Sequence, residues 1–362
     1  MKKMALVLQG GGALGAYEHG VVTRLVELGW QPVAVAGVSI GAINAAAIAG
    51  ARGGDVATSL KQLWDAITMK ASPFWPSDQQ ALFSMWGNPR FYQLRTDYLN
   101  MPKWTSMCDV TPMRETLKEV CDFNQINDWE HMRLSVTATN VATGCLVSFS
   151  NHVADPNATH RVTPRVKKQT ITPDHILASG SLPPGFPMTQ IDGAHYWDGG
   201  LFDNTPIEAL LDLLDDEEID SLPIFVLNLF PTQGGIPKNL MEVKGRMMEI
   251  TYENRFWARY EEPGAGLSHF TDMLEGLEHD LPEESPIRSS PAYRRLLRLR
   301  ALKNMQVITA EHTGMAGGAD FSAYGVERRF EIGYKATDKY LAEHPSFSKA
   351  RSSVQSSAAA AA

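Results

Sequence analysis

The first fifty residues contain two glycine-containing turns, each between an apolar strand and a helix. Residues 6–20 read LVLQGGGALGAYEHG, and the apolar run before the glycines is typical of a buried strand. The second turn, GVSIG at residues 37–41, follows the strand PVAVA and opens an alanine-rich helix. Further strand and helix patterns alternate through the first half of the chain. This order predicts an α/β fold.

The second turn has the pattern G-x-S-x-G in the strand–turn–helix context of a nucleophile elbow. Ser39 is therefore the candidate nucleophile, with its hydroxyl lifted out of the sheet by a strained turn. Gly37 and Gly41 lack side chains, so neighbouring elements can approach the turn closely. The helix that begins here directs its N-terminal amides at the reacting centre, where negative charge develops.

The first turn also fits G-x-G-x-x-G through Gly10, Gly12 and Gly15, the spacing of a dinucleotide-binding loop. Such a site expects an acidic residue about 20 positions later, at the end of the second strand. That strand ends without an acid, so the nucleotide interpretation loses its second contact. The same backbone suits an oxyanion hole, in which successive amides converge on one oxygen. The predicted donors are the amides of Gly10, Gly11, Gly12 and Ala13.

A nucleophilic serine needs a general base. None of the ten histidines lies in a comparably marked context: His175 is predicted on a helix surface and His195 in a turn. Asp198 precedes two glycines, which let a carboxylate sit on a tight turn, and it is the preferred base. Asp192 is the rival, although its D-G pair favours an ordinary type I′ hairpin turn.

Four sequence blocks together make the chain resemble a bacterial patatin-like phospholipase, a serine lipid acyl hydrolase of the patatin family. The blocks are GGGALG (10–15), GVSIG (37–41), ASGSLPPGFP (178–187) and DGGLFDNTP (198–206). The later segment DFSAYGVERRFEIGY is similar to the C-terminal extension of one bacterial branch. Many relatives carry Arg or Lys where this chain has Leu14, which leaves no basic side chain there for an anionic headgroup.

The resemblance implies a three-layer α/β/α sandwich related to α/β hydrolases. It implies a Ser–Asp dyad in which Ser39 is the nucleophile and Asp198 the base, with Gly10, Gly11 and Gly12 as the oxyanion loop. The expected activity is hydrolysis of carboxylic esters of phospholipids or related acyl esters through an acyl-serine, of phospholipase A or lysophospholipase type. No cofactor and no metal site are expected.

Several alternatives stay open on the sequence. The same dyad would serve an esterase, a thioesterase or a depolymerase of short polyhydroxyalkanoates, and an acyltransferase would replace water with another acceptor. A dinucleotide-binding oxidoreductase would carry a cofactor and would not react with a serine-directed fluorophosphonate. A lipid-binding module without catalysis is disfavoured because both dyad positions are filled.

The pattern changes near residue 230. Residues 1–230 are interpreted as the catalytic domain, 231–345 as a mostly helical C-terminal extension and 346–362 as a disordered tail. The aromatic-rich residues 72–104 are interpreted as a lid, an acyl-pocket lining or a loop tucked on the core. The basic segment PAYRRLLRLRALKN (291–304) is either a membrane-surface helix or a helix packed on the catalytic domain.

Net charge and cysteine content limit the classes of binding partner and the cellular compartment that the sequence predicts. The net charge of −8 argues against nucleic-acid binding. Three scattered cysteines do not form a disulfide framework and favour a reducing compartment, so a cytoplasmic location is expected. The expected partner is a lipid or acyl-ester substrate, with peripheral contact to a membrane surface as an option. The sequence does not indicate the oligomeric state.

Overall fold

The computed structural model describes residues 2–70, 87–154, 166–231, 234–252, 267–310 and 317–345. In these ranges the strands are β1 (Lys2–Leu8), β2 (Trp30–Val38), β3 (Gln93–Leu94), β4 (Cys108–Asp109), β5 (Arg133–Asn140), β6 (Leu146–Ser150), β7 (Val166–Lys168), β8 (Thr189–Ile191), β9 (Ala194–Asp198), β10 (Ile224–Asn228) and β11 (Met305–Thr309). The helices are α1 (Gly15–Glu27), α2 (Ile40–Ala49), α3 (Val56–Ile67), α4 (Thr111–Val120), α5 (Phe123–Ile126), α6 (Pro173–Ser179), α7 (Ile207–Leu211), α8 (Leu240–Tyr252), α9 (Leu267–Asp280), α10 (Pro291–Leu297) and α11 (Ala323–Glu343).

Within the described ranges, a mixed sheet of nine strands runs through the centre of the molecule. Its main path is β11–β10–β1–β2–β5–β6–β7, and β9 and β8 are added beside β5. The five strands from β11 to β5 are parallel to one another. Because the carboxyl ends of parallel strands share one edge of a sheet, the turns after β1 and β2 lie side by side. The two glycine turns of the sequence therefore meet at this edge.

Two apolar cores lie on opposite faces of the sheet, as the alternation of side chains along each strand requires. On one face, Leu6 of β1 belongs to a large core with residues of α1, α2 and α3. On the other face, Val7 belongs to a smaller core with Leu210 of α7 and Leu302. Helices thus cover both faces, and the predicted three-layer α/β/α fold is confirmed.

The C-terminal part of the chain is mostly helical, as predicted, and it also contributes to the sheet. β11 pairs in parallel with β10, at the end of the main path. α11 crosses α1 at two glycines: an added Cβ on Gly333 would lie 2.1 Å from the carbonyl O of Tyr17, and one on Gly20 would lie 2.0 Å from that of Phe330. The division of the chain at residue 230 stays a prediction, and residues 346–362 lie outside the described ranges.

Candidate active site

The turn after β2 holds Ser39 in a backbone conformation that non-glycine residues rarely adopt. Its φ is +56° and its ψ −124°, and α2 begins at the next residue. The Ser39 backbone N–H donates to the carbonyl O of Ser179 at 3.1 Å and to its Oγ at 3.0 Å. These contacts hold the strained turn, and they leave the half-buried Ser39 hydroxyl at the N-terminus of a helix.

Both glycines of the elbow lie where a side chain has no room. An added Cβ on Gly41 would lie 2.4 Å from the carbonyl O of Leu8, and one on Gly37 would lie 2.3 Å from that of Gly41. The first contact joins the start of α2 to the end of β1. The missing side chains therefore let the elbow approach the glycine loop closely, as the sequence predicts.

Asp198 lies at the end of β9, and only 2% of it is exposed. Its carboxylate accepts a hydrogen bond, at 2.8 Å, from the backbone N–H of Gly200, and the Ser39 side chain lies within hydrogen-bonding reach of it. Burial raises the pKa of Asp198 to about 6, and these two donors oppose part of that rise. The structure thus brings the predicted nucleophile and the predicted base together.

The register of the sheet explains why residues 159 positions apart meet (198 − 39). On β5, Thr137 pairs with Val38 of β2, and the next residue, Ala138, pairs with Asp198 of β9. β9 thus continues beside β5 where β2 ends. Ser39 follows Val38 directly, so it leaves the sheet next to Asp198.

Residues 178–181, with the sequence ASGS, form a second connection between Ser39 and Asp198. Ser179 accepts from the backbone N–H of Ser39, and the carbonyl O of Ser181 accepts from the backbone N–H of Asp198 at 3.0 Å. Only Gly180 separates the two serines. The relative position of Ser39 and Asp198 is therefore fixed through one short piece of backbone as well as through β5.

The glycine loop lies against the elbow. An added Cβ on Gly10 would lie 2.9 Å from Cβ of Ser39 and 2.6 Å from Oδ1 of Asn204. Gly12 has φ +58°, in the left-handed region that favours glycine. Within the described residues, no acceptor is found for the backbone N–H of Gly10 or Gly11. The loop can therefore bring donors to the side of Ser39, which fits the predicted oxyanion hole.

The sequence model of the patatin-like phospholipase family matches residues 6–211, more than half of the chain. The chain belongs to the patatin-like phospholipase family. Membership makes it a lipid acyl hydrolase. Among solved structures, VipD from Legionella pneumophila is similar over 95% of this chain and 67% of its own, with 17% sequence identity and a TM-score of 0.43. No curated protein sequence matches the chain.

Buried amide side chains support this patatin-like site, and sequence reasoning missed them. Gln9 is fully buried; its Nε2 donates to Oγ1 of Thr205 at 2.6 Å, and its Oε1 accepts from the backbone N–H of Leu229 at 2.7 Å. Asn204 donates to the carbonyl O of Gly10 at 3.1 Å. These bonds fasten the start of the glycine loop to two distant segments.

A buried carboxylate beneath the loop was also missed. Oε1 of Glu18 accepts from the backbone N–H of Gln9 at 2.7 Å, and its Oε2 accepts from Nδ2 of Asn44 at 2.8 Å. Trp64 donates to Oδ1 of Asn44 at 3.0 Å, which fixes the amide in this orientation. Burial raises the pKa of Glu18 well above its usual range. A Glu inside a helical pattern gives no signal of such a contact in the sequence.

The rival candidates lie elsewhere. Asp192 has φ +50° and Gly193 φ +80°, and both are exposed in the hairpin turn between β8 and β9, as the D-G pair predicts. The predicted turn position of His195 is wrong: it is exposed on strand β9, where it pairs with Gln190 of β8. The predicted surface position of His175 is wrong: its ring is buried against Phe149, with 4.9 Å between ring centroids. Its Nδ1 accepts from the backbone N–H of Thr172 at 3.0 Å in the capping box of α6.

The two segments suggested for substrate or membrane contact are described in part. Residues 71–86 of the aromatic segment lie outside the described ranges, whereas Phe91 is buried against Phe186, with 5.8 Å between ring centroids. In the basic segment the α-helix ends at Leu297 and 3₁₀ turns follow. Arg298 is buried there and donates to the carbonyl O of Leu211 at 3.1 Å, so it packs inward.

Two negative findings apply to the parts of the chain that the structure describes. No helix there combines the length and the apolarity needed to cross a bilayer. No group of three or more His, Cys, Asp or Glu side chains in those parts has the spacing of a metal site.

Proposed function

We propose that this lipid acyl hydrolase cleaves carboxylic esters of phospholipids or related acyl esters through a Ser39–Asp198 dyad and an acyl-serine intermediate. One observation carries the proposal: the Ser39 side chain, on a strained elbow, lies within hydrogen-bonding reach of a carboxylate that is 2% exposed. A serine with its base in direct contact is the arrangement that nucleophilic catalysis requires.

In the first half-reaction, the Asp198 carboxylate takes the Ser39 proton while Oγ attacks the ester carbonyl carbon. The carbonyl electron pair moves onto its oxygen, and the backbone N–H groups of residues 10–13 hold this oxyanion. Collapse of the tetrahedral intermediate breaks the bond to the alcohol. The leaving oxygen takes the proton from Asp198, and the acyl group stays on Ser39.

Water completes the cycle by the same steps. Asp198 takes a proton from water as it attacks the acyl-serine. Collapse of the second tetrahedral intermediate breaks the bond to Ser39 Oγ, which takes the proton back from Asp198, and releases the fatty acid. A carboxylate with its usual pKa is a weak base, and burial moves the pKa of Asp198 to about 6, closer to neutral pH. Burial thus makes a dyad without histidine more effective.

The proposal is tested by steady-state hydrolysis of p-nitrophenyl butyrate and of a panel of phospholipids and lysophospholipids. Ser39→Ala and Asp198→Asn are each expected to lower kcat by about 10⁴-fold or more while the fold is retained, because each removes one half of a coupled pair. For the same reason, the double variant is expected to be little worse than either single variant.

The matched control is Asp192→Asn, which changes an exposed carboxylate on the same hairpin. It is expected to keep wild-type kcat. Full turnover by Asp198→Asn would overturn the dyad, and loss of turnover in Asp192→Asn alone would move the base to the hairpin turn. The lipid panel decides between phospholipids and the other acyl esters, thioesters and polyesters that suit the same dyad.

A further inference from the structure

One side of the glycine loop is in contact with the 3₁₀ turn Gly317–Ala319 of the C-terminal segment. An added Cβ on Gly12 would lie 2.2 Å from the carbonyl O of Gly318, and one on Gly318 would lie 2.9 Å from the carbonyl O of Gly11. Two stretches of backbone, more than 300 residues apart in the sequence, thus touch without side chains between them.

This contact fixes the orientation of the peptide group between Gly11 and Gly12. The carbonyl O of Gly11 accepts from the backbone N–H of Leu14 at 3.2 Å and faces Gly318. In a planar trans peptide the carbonyl and the following N–H point in opposite directions. Holding the Gly11 carbonyl on this side therefore fixes the direction of the Gly12 N–H, which is one of the proposed oxyanion donors.

An ion pair between buried Arg329 and half-buried Asp320 holds the turn that carries Gly318. Nη1 of Arg329 donates to the carbonyl O of Asp320 at 2.8 Å, and its Nη2 lies 3.3 Å from Oδ2 of the same residue. Oδ1 of Asp320 accepts from the backbone N–H of Ser322 at 3.1 Å and from its Oγ at 2.6 Å. Arg329 is 6% exposed. Both the backbone and the carboxylate of Asp320 are thus bound to α11 or its N-cap.

α11 is in turn anchored to the layer that carries the site. The backbone N–H of Met69 donates to the carbonyl O of Phe321 at 2.8 Å, and that of Ala323 donates to the carbonyl O of Met69 at 3.2 Å. At the glycine crossing, α11 also packs directly on α1, which follows the glycine loop. The ion pair therefore connects Gly318 to a fixed support.

We propose that Arg329 and Asp320 are positioning residues, which hold Gly318 against Gly11 and Gly12 and so direct the oxyanion-binding amides of the loop. The proposal rests on the proposed oxyanion role of residues 10–13. It assigns a task to the segment DFSAYGVERRFEIGY, which carries both Asp320 and Arg329 and has no part in the chemical steps.

The test uses Arg329→Met and Asp320→Asn in the full chain. A fluorophosphonate first titrates the active sites, so that kcat is expressed per folded site. With p-nitrophenyl butyrate, kcat is expected to fall about 10- to 100-fold while KM changes less than about threefold, since misdirected amides weaken only the transition state. The inhibition constant of an alkyl trifluoromethyl ketone, whose adduct places an oxyanion in the hole, is expected to rise by a similar factor.

Arg328→Met is the matched control, because Arg328 is the exposed neighbour on the same helix, and it is expected to leave all three constants unchanged. Arg329→Lys keeps a cation opposite Asp320 and is expected to recover part of kcat. Wild-type kcat per titrated site and an unchanged ketone constant in Arg329→Met would overturn the proposal.

Gly318→Ala tests the contact itself if the ion-pair variants do not fold. Its methyl group would press on the Gly11 carbonyl, so the same changes in kcat and ketone affinity are expected, and an unchanged ketone constant contradicts the proposal. Gly276→Ala, where an added Cβ meets nothing within 4 Å, is its control. Failure of the dyad would appear separately, as hydrolysis by Ser39→Ala.

Discussion

Strain and burial are combined at two residues of the site. Ser39 keeps φ +56° because its backbone N–H is bound to Ser179 and its neighbouring glycines let β1 approach. Asp198 is almost completely buried. Burial raises the pKa of its carboxyl group and lowers the free energy of unfolding of the protein. Both features work against stability, and both prepare a hydroxyl and a base for reaction.

The raised pKa of Asp198 predicts the pH dependence of hydrolysis. The base must be ionised, so kcat/KM is expected to fall about tenfold per pH unit below about 6 and to be level from about 7 to 8. Asp203→Asn is the control, because burial also raises the pKa of Asp203 to about 6. A pH step that disappears in Asp203→Asn would show that Asp198 is not the titrating base.

The same shift predicts an effect on stability. The pKa of Asp198 is about 6 in the folded protein against a usual value of 3.8, so ionisation disfavours the folded state. The ionised carboxylate destabilises the folded protein to the full extent above about pH 6. It does not do so below the pKa of Asp198 in the unfolded chain. Asp198→Asn is therefore expected to raise the free energy of unfolding by up to about 3 kcal/mol at pH 8. Urea unfolding at pH 8 and at pH 3.5 measures the free energy of unfolding of the variant and the wild type. An equal increase at both pH values would contradict the prediction.

Local motifs made part of the site predictable at the residue scale. Ser39, Asp198 and the glycine loop lie in short patterns whose backbone requirements can be read directly. Gln9 could not be found in this way, because its partners Thr205 and Leu229 are 196 and 220 residues away. Residues that act through long-range hydrogen bonds have no local pattern, so the supporting shell appears only in the folded structure.

At the scale of elements, the elbow depends on how closely α2 approaches β1. Gly41→Ala would place a methyl group 2.4 Å from the carbonyl O of Leu8, which is backbone and cannot rotate away. We expect a loss of several kcal/mol in the free energy of unfolding, measured by urea denaturation. Gly245→Ala, in open space on α8, is expected to change it by less than about 1 kcal/mol. Equal effects of the two changes would contradict the close approach.

The sequence predicted the elements of the first half well, because β1 and β2 contain continuous apolar runs and α3 and α4 carry apolar residues at helical spacing. α1 to α4 and the pairing of β5 with β6 follow the patterns closely. The segment 291–304 differs from its predicted single helix, because after Leu297 the chain tightens into 3₁₀ turns and Arg298 donates to the backbone of α7. Helical spacing alone does not contain that tertiary contact.

Segments near both ends of the chain contribute to the central sheet and to the helical layer that packs on it. β11 extends the central sheet, and Phe321 together with Val326 and Leu341 of α11 is buried in the core that also contains residues of α1. A chain ending at residue 316 would expose this apolar surface. We expect it to lose cooperative urea unfolding and ester hydrolysis, whereas a chain ending at 345 keeps both. An active, cooperatively folding 1–316 chain would support an independent N-terminal unit.

In the proposed mechanism, Ser39 attacks the ester with Asp198 as its base. Rapid quenching of the enzyme with p-nitrophenyl butyrate, followed by peptide mass spectrometry, tests it most directly. We expect a butyryl group on the peptide that contains Ser39 in the wild type, and its loss in Ser39→Ala and Asp198→Asn. Hydrolysis without any acyl-enzyme, or a butyryl group on another residue, would contradict it.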